Sequence, residues 1–271
     1  MSEKYLQRED APFDKKVWEQ IDETVVAAAK SQLCGRRLIR TKGPYGLALK
    51  TLSSGDKSVD EKKTGNVDIL TGCVTPLVMI QAKFTLAVRD IAAFEQCRLP
   101  LDLSNAAQAA VECARQEDDV IFNGHTSSSL RGLLAIDKNQ SIKLKSWDET
   151  GAAVEDMIQA VTILDKSGFH GPYALGLSPE LYNQLYRRYP QGNGTELEHL
   201  RQIITDGIVK VPAISSGGVL LCTGDSLTAI VLGQDLMTGY IGPAGSQFEF
   251  SLSESIALWL TQPKSICLLK K

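Results

Sequence analysis

The stretch LSNAAQAAVECARQEDDVIFNG, Leu103 to Gly124, decides how this chain is read. Ser104 stands where a helix N-cap is wanted, and Ala107, Ala110, Val111, Ala114 and Ile121 recur at helical spacing. The pattern predicts a long helix whose small side chains let a second backbone approach closely, closed by Gly124. Near its end, Glu117, Asp118 and Asp119 oppose the helix dipole and need positive or hydrogen-bonding neighbours. On local pattern alone they read as a solvated acidic end. A cation shared by all three is excluded, because adjacent helical positions point in different directions.

Upstream, Asp14 is placed to cap a second amphipathic helix carrying Val17, Trp18, Ile21, Val25, Ala28 and Ala29, which ends near Cys34 and Gly35. Arg36, Arg37 and Arg40 follow, then a turn at Gly43 to Gly46. The segment SSGDKSVDEKKTGN, Ser53 to Asn66, is too poor in apolar groups to fold by itself and reads as a loop or an arm. The next residues favour the arm. Val78, Ile80, Ala82, Phe84, Leu86 and Val88 alternate with more polar positions at the period of a half-buried strand.

Downstream, Thr150 is the expected cap of a helix with Val154, Met157, Ile158, Val161 and Leu164 on one face. Ser178 and Pro179 open a helix expected to reach Tyr186, and Thr195 to Glu198 spells a capping box for another. Strands are expected at Tyr173 to Leu177, Ile208 to Val211, Val219 to Thr223, Thr228 to Leu232, Phe248 to Leu252 and Ile266 to Leu269. The class is α+β.

The whole-chain balance narrows the function. With 29 basic and 32 acidic side chains and a formal charge of −3, the chain is a poor candidate for neutralising nucleic-acid phosphates. The first residues are charged rather than apolar, and no run has the length of a membrane span, so no membrane partner and a cytoplasmic location are expected. Six cysteines without CxxC spacing read as reduced, mostly buried thiols. The three histidines have no partner at metal or catalytic spacing, and GLSPE around Ser178 is not a nucleophile elbow. Neither catalysis nor a metal or other cofactor is expected.

Nine motifs in order carry a resemblance: WEQID (Trp18 to Asp22), QLCGRR (Gln32 to Arg37), GPYG (Gly43 to Gly46), FTL (Phe84 to Leu86), DLS (Asp102 to Ser104), EDDVIFNG (Glu117 to Gly124), GLL (Gly132 to Leu134), GPYAL (Gly171 to Leu175) and LGQDLMTGY (Leu232 to Tyr240). From about Ala11 onward the chain resembles type 1 encapsulin shell proteins. The resemblance implies an HK97-like capsid fold. Its peripheral domain with the N-terminal helix would take 1–46, 80–135 and 224–258, its extended loop 47–79, and its axial domain 136–223 and 259–271. It also implies an icosahedral shell of about 60 identical copies, which needs heterologous contacts that close.

By the same resemblance, the shell encloses a cargo enzyme of ferritin-like, iron-storing or dye-decolourising-peroxidase type, recruited through its C-terminal peptide. The peptide would lie between the N-terminal helix and the GQDLMTGY segment. Val25, Ala29 and Leu33 form one helical stripe there, Leu236 and Met237 add an apolar wall, and Arg36 and Asp235 fix polarity. The alternative is that these residues only pack the helix onto its own domain. The loop Tyr189, Pro190, Gln191, Gly192, Asn193, Gly194 and Thr195 would border a pore. A prophage capsid protein packaging DNA is the competing function for the same fold.

Overall fold

The computed structural model describes residues 3–58, 70–135, 140–190, 192, 194–224 and 226–271. Helix α1 (Lys15–Gln32) and a single turn, α2 (Gly35–Leu38), lead through a short strand β1 (Thr41–Lys42) to a ribbon of β2 (Thr51–Ser58) and β3 (Leu70–Pro76). Strand β4 (Val78–Ala87), helix α3 (Val88–Cys97) and the long α4 (Ser104–Asn123) follow. A hairpin of β5 (Gly124–His125) and β6 (Leu130–Arg131) precedes β7 (Ser141–Lys143), α5 (Ala152–Lys166), β8 (Tyr173–Leu177), α6 (Pro179–Gln184), α7 (Glu196–Ile203) and β9 (Ile208–Lys210). The last strands are β10 (Gly218–Cys222), β11 (Thr228–Leu232), β12 (Met237–Ala244), β13 (Gln247–Leu260) and β14 (Ile266–Lys270).

Two sheets organise these elements. In the first, β13 is antiparallel to β4 along one edge, while β11 and then β12 pair in succession along the other. The second runs β7-β14-β10-β8-β9. Helices α1 and α4 lie over the first sheet, where Phe84 stacks on Phe250 with ring centroids 5.0 Å apart. Phe13, Trp18 and Tyr240 surround Phe250. A separate cluster built on Met157, Leu164, Leu175, Leu185 and Leu200 fills the space between the second sheet and α5 to α7. Among the described residues, no helix is long and apolar enough to cross a membrane.

The long helix differs from its sequence reading in three ways. Ser104 begins the helix rather than capping it: the Asp102 carboxylate takes the capping role, accepting hydrogen bonds from the Ser104 N–H at 3.0 Å and hydroxyl at 2.5 Å. Its buried face runs through Ala106, Ala110, Cys113, Ala114, Glu117 and Ile121, so Ala107 and Val111 fall on the flank. The acidic end is not solvated either, since Glu117 and Asp118 are buried. Gly124 does close the helix, at φ 79°. A Cβ on Gly132 would come within 2.3 Å of the Gly124 nitrogen, so the hairpin has no room for a side chain there.

Similar adjustments occur downstream. Gly151, not Thr150, holds the N-cap position of α5, and its N–H donates to Glu196 on α7. The buried face of α5 includes Asp156, which accepts from the Trp147 indole and the Lys145 amide, whereas Ile158 is half exposed. Helix α6 ends at Gln184 instead of Tyr186, and the capping box of Thr195 and Glu198 is present with both hydrogen bonds. β12 has no counterpart in the sequence reading, and β13 extends well past Leu252. Four of the six cysteines are buried and none is disulfide-bonded.

The expected arm is a two-stranded ribbon as far as Ser58 and again from Leu70, with Leu70 and Val74 exposed. The rest of the polar excursion, 59–69, lies outside the described residues.

Candidate functional site

The C-terminal half of α1 presents two adjacent stripes. One, through Val17, Ile21 and Val25, faces inward; Val25 is 1% exposed and packs in the core. The other, Val26, Ala29, Lys30 and Leu33, follows the same i, i+3, i+4, i+7 rule one position round, and it borders a narrow groove of about 70 Å³. Arg36, Ala114, Asp235, Leu236 and Glu254 complete the lining. That volume accepts about one aliphatic side chain beneath the surface, so a longer occupant would lie over the exposed Val26.

Of the residues singled out in the sequence, Ala29, Leu33, Arg36, Asp235 and Leu236 come together here. Val25 does not reach the groove, and Met237 is half-buried at the start of β12, outside the lining. Val26, Lys30, Ala114 and Glu254 were missed. A signal existed for two of them: Val26 and Lys30 complete the stripe.

A charge cluster forms the floor. Arg36 donates from Nε to Glu117 Oε1 at 2.8 Å and from Nη2 to Glu117 Oε2 at 2.6 Å. Nη1 reaches Asp235 Oδ1 at 2.8 Å, and Nη2 also reaches Glu254 Oε2 at 3.0 Å. Burial works against the Arg36 charge, but the hydrogen bonds to Glu117 and Asp235 outweigh it and raise its pKa. For Glu254, burial followed by the nearby Glu117 charge pushes the carboxyl up to about 9, so it is protonated at neutral pH. Its second oxygen, Glu254 Oε1, is buried with no hydrogen-bond partner among the described residues. The groove floor is thus acidic at its open end, where Asp235 is half exposed.

Beside the cluster, Asp118 accepts from the Cys34 and Gly35 amides at 2.9 and 2.8 Å, fastening α2 to α4. Burial pushes Asp118 up to about 6 against the pull of those amides. Burial, reinforced by the Asp118 charge, raises the Cys34 thiol to about 12, and Cys113 likewise reaches about 12 by burial. Neither is a nucleophile at neutral pH.

The stretch from Tyr189 to Thr195 connects α6 to α7. The Tyr189 N–H donates to the Gly194 carbonyl at 3.1 Å, and the Tyr189 ring sits 4.6 Å from that of His199. Pro190, Gly192 and Gly194 line a shallow cleft with these two rings, while Gln191 and Asn193 lie outside the described residues. Among the described residues, no group of three or more His, Cys, Asp or Glu is arranged to hold a metal.

Comparison with known proteins identifies the family. The sequence profile of the family described as encapsulating protein for peroxidase matches residues 3–257. The type 1 encapsulin shell protein EncA of Myxococcus xanthus is 31% identical over 98% of this chain and 96% of its own length. In three dimensions the fold is similar to a virus-like particle from Pyrococcus furiosus, with a TM-score of 0.75 at 20% identity over 94% of this chain and 99% of the other. It is also similar to the capsid of the Myoviridae phage XM1, with a TM-score of 0.58 at 12% identity over 85% and 88%. With an HK97-like capsid fold and a match along nearly its whole length, the chain belongs to the encapsulin family of shell proteins, whose members are structural subunits rather than enzymes.

Proposed function

We propose that about 60 copies of this chain close into an icosahedral nanocompartment in the cytoplasm, and that the groove beside α1 takes the C-terminal peptide of a cargo enzyme. The cargo is of ferritin-like, iron-storing or dye-decolourising-peroxidase type. One observation carries the docking reading: on α1 the exposed Val26 stands over a groove lined by Ala29, Leu33 and Leu236, an apolar strip that ends on a fixed charge cluster. Apolar contacts supply affinity there, and Asp235 with the unpartnered oxygen of Glu254 sets polarity by accepting from a donor on the peptide.

In this reading the peripheral part comprises 1–46, 80–135 and 224–258, the extended loop 47–79, and the axial part 136–223 and 259–271. The loop of Tyr189, Pro190, Gly192, Gly194 and Thr195 then borders a pore at a symmetry axis. The family match over residues 3–257 favours an enzyme-enclosing shell over a prophage capsid that packages DNA.

The test is the double variant Val26→Asp with Leu236→Ser, produced together with the native cargo. Electron microscopy is expected to show shells of normal size and copy number, empty of cargo. Loading at the wild-type ratio would place docking elsewhere.

A further inference from the structure

The two neighbouring arginines of α2 have opposite fates. Arg36 is held by the carboxyl groups of Glu117, Asp235 and Glu254, whereas no ion pair involves Arg37 among the described residues. The same holds for Arg201 in the last turn of α7 and for Lys210 at the end of β9, and all three are exposed. They converge on one phenol. The Lys210 ammonium lies 5.2 Å from the centroid of the Tyr182 ring, and both guanidinium charges act on the Tyr182 hydroxyl. Of the nearby carboxylates, Glu180 pairs with Lys271 and Asp118 caps the Cys34 and Gly35 amides, while the exposed Asp206 stands between two lining residues without itself lining the space between the arginines.

That space is an open cleft of about 390 Å³, walled by Arg37 and Arg201 and backed by Ile204, Ile208 and Val209, which are buried. Thr205 and Gly207 form the rim. Gly207 has φ +119°, and a Cβ there would meet nothing within 4 Å, so the turn stands open directly onto solvent. The volume falls in the range of small-molecule sites, at roughly 300–1,000 Å³. Like charges gathered without an anion repel one another, and guanidinium forks match an oxyanion in geometry as well as in charge.

We propose that this cleft binds the phosphate group of a small anion, held between Arg37 and Arg201 with the Thr205 hydroxyl as a further donor. The phosphate comes either from inorganic phosphate or from a nucleotide-sized molecule whose flat body lies on the Ile204 and Ile208 side of the cleft. The site is separate from the α1 groove and does not depend on what docks there.

Calorimetric titration of assembled shells with AMP, sodium phosphate and adenosine tests this, in wild type and in Arg37→Gln and Arg201→Gln. AMP is expected to bind and adenosine not, with at least a tenfold loss of affinity in each variant and a further loss at high salt. Light scattering is expected to show unchanged shells, and Arg37→Lys should retain intermediate affinity because it keeps the charge without the fork. Equal binding of phosphate and AMP assigns the free ion as ligand; tighter AMP binding assigns the organic phosphate. The proposal is overturned if wild-type shells bind neither, if both glutamine variants bind like wild type, or if a single-stranded oligonucleotide binds where AMP and phosphate do not. Loss of shell assembly in both variants, with no binding to wild-type shells, would instead make the cleft a contact between subunits.

Discussion

Arg36 and Glu117, 81 positions apart in sequence, meet fork to fork, with both carboxylate oxygens accepting from one guanidinium. The pair ties the turn after α1 to the C-terminal part of the long helix. It also explains how a fully buried glutamate can sit among alanines. Arg36 sits on short α2, within a few residues of the groove, so the cation that holds the fold together also forms the groove floor.

The first prediction concerns that cation. Arg36→Met leaves Glu117 buried without its positive partner, which costs about 3–5 kcal/mol. A markedly lower thermal midpoint and reduced yield of shells are expected. Arg36→Glu is expected to be worse, so charge reversal here reports on folding and not on cargo docking. A variant with wild-type melting would show that Glu117 is neutralised in some other way.

Glu254 and Asp118 predict the pH response. Burial raises Glu254 to about 9 and Asp118 to about 6, so the folded chain keeps protons that the unfolded chain releases at lower pH. The stabilisation is complete below the ordinary carboxylate range and is lost as pH rises, through about 6 for Asp118 and about 9 for Glu254. Wild-type melting temperature should therefore fall from pH 5 to pH 9.5. Glu254→Gln, which stays neutral, should flatten the alkaline part of that fall. Parallel curves for the two proteins would count against a protonated Glu254.

The ribbon of β2 and β3 predicts assembly behaviour. Thr51 pairs directly with Pro76, so the ends of the excursion are adjacent, and a Gly-Gly link can replace residues 52–75 without moving β4. Because among the described residues β2 and β3 pair only with each other, and Leu70 and Val74 are exposed, the deleted protein should fold but run as monomers or small oligomers on size exclusion. Shells of normal size from this deletion would show that the arm is dispensable.

Gly132→Ala is the sharpest packing test. Its methyl group would fall 2.3 Å from the Gly124 nitrogen and 2.5 Å from the Phe122 carbonyl oxygen, both backbone atoms. The hairpin has to move, and a drop in melting temperature is expected, with most of the protein insoluble. By contrast, Gly192→Ala meets nothing within 4 Å and should melt like wild type.

Much of this architecture was legible because its signals are local. The stripe of α1, the Thr195 capping box and the apolar run of β11 depend on residues within a turn or two of one another. The misreadings have long-range causes. Glu117 and Asp118 looked like a solvent-facing end because their partners, Arg36 and the amides of Cys34 and Gly35, lie more than 80 positions away. Discounting them turned the apparent face of α4. Asp156 did the same to α5, since its ligands, Trp147 and the Lys145 amide, precede the helix. In β13 the polar run Ser253, Glu254 and Ser255 broke the apolar pattern, although Ser253 and Ser255 hold Gln234 and Glu254 holds Arg36. Groove residues became visible through family resemblance plus helical period; Glu254 needed the fold.

The two occupied edges of β13 give the subunit a mechanical grain. Hydrogen bonds in an antiparallel ladder lie across the strands. A pull along β13 therefore loads its bonds to β4, β11 and β12 all at once, whereas a pull across it peels them one after another. A subunit built this way resists tension along the strands of this sheet more than a force that peels them apart one at a time.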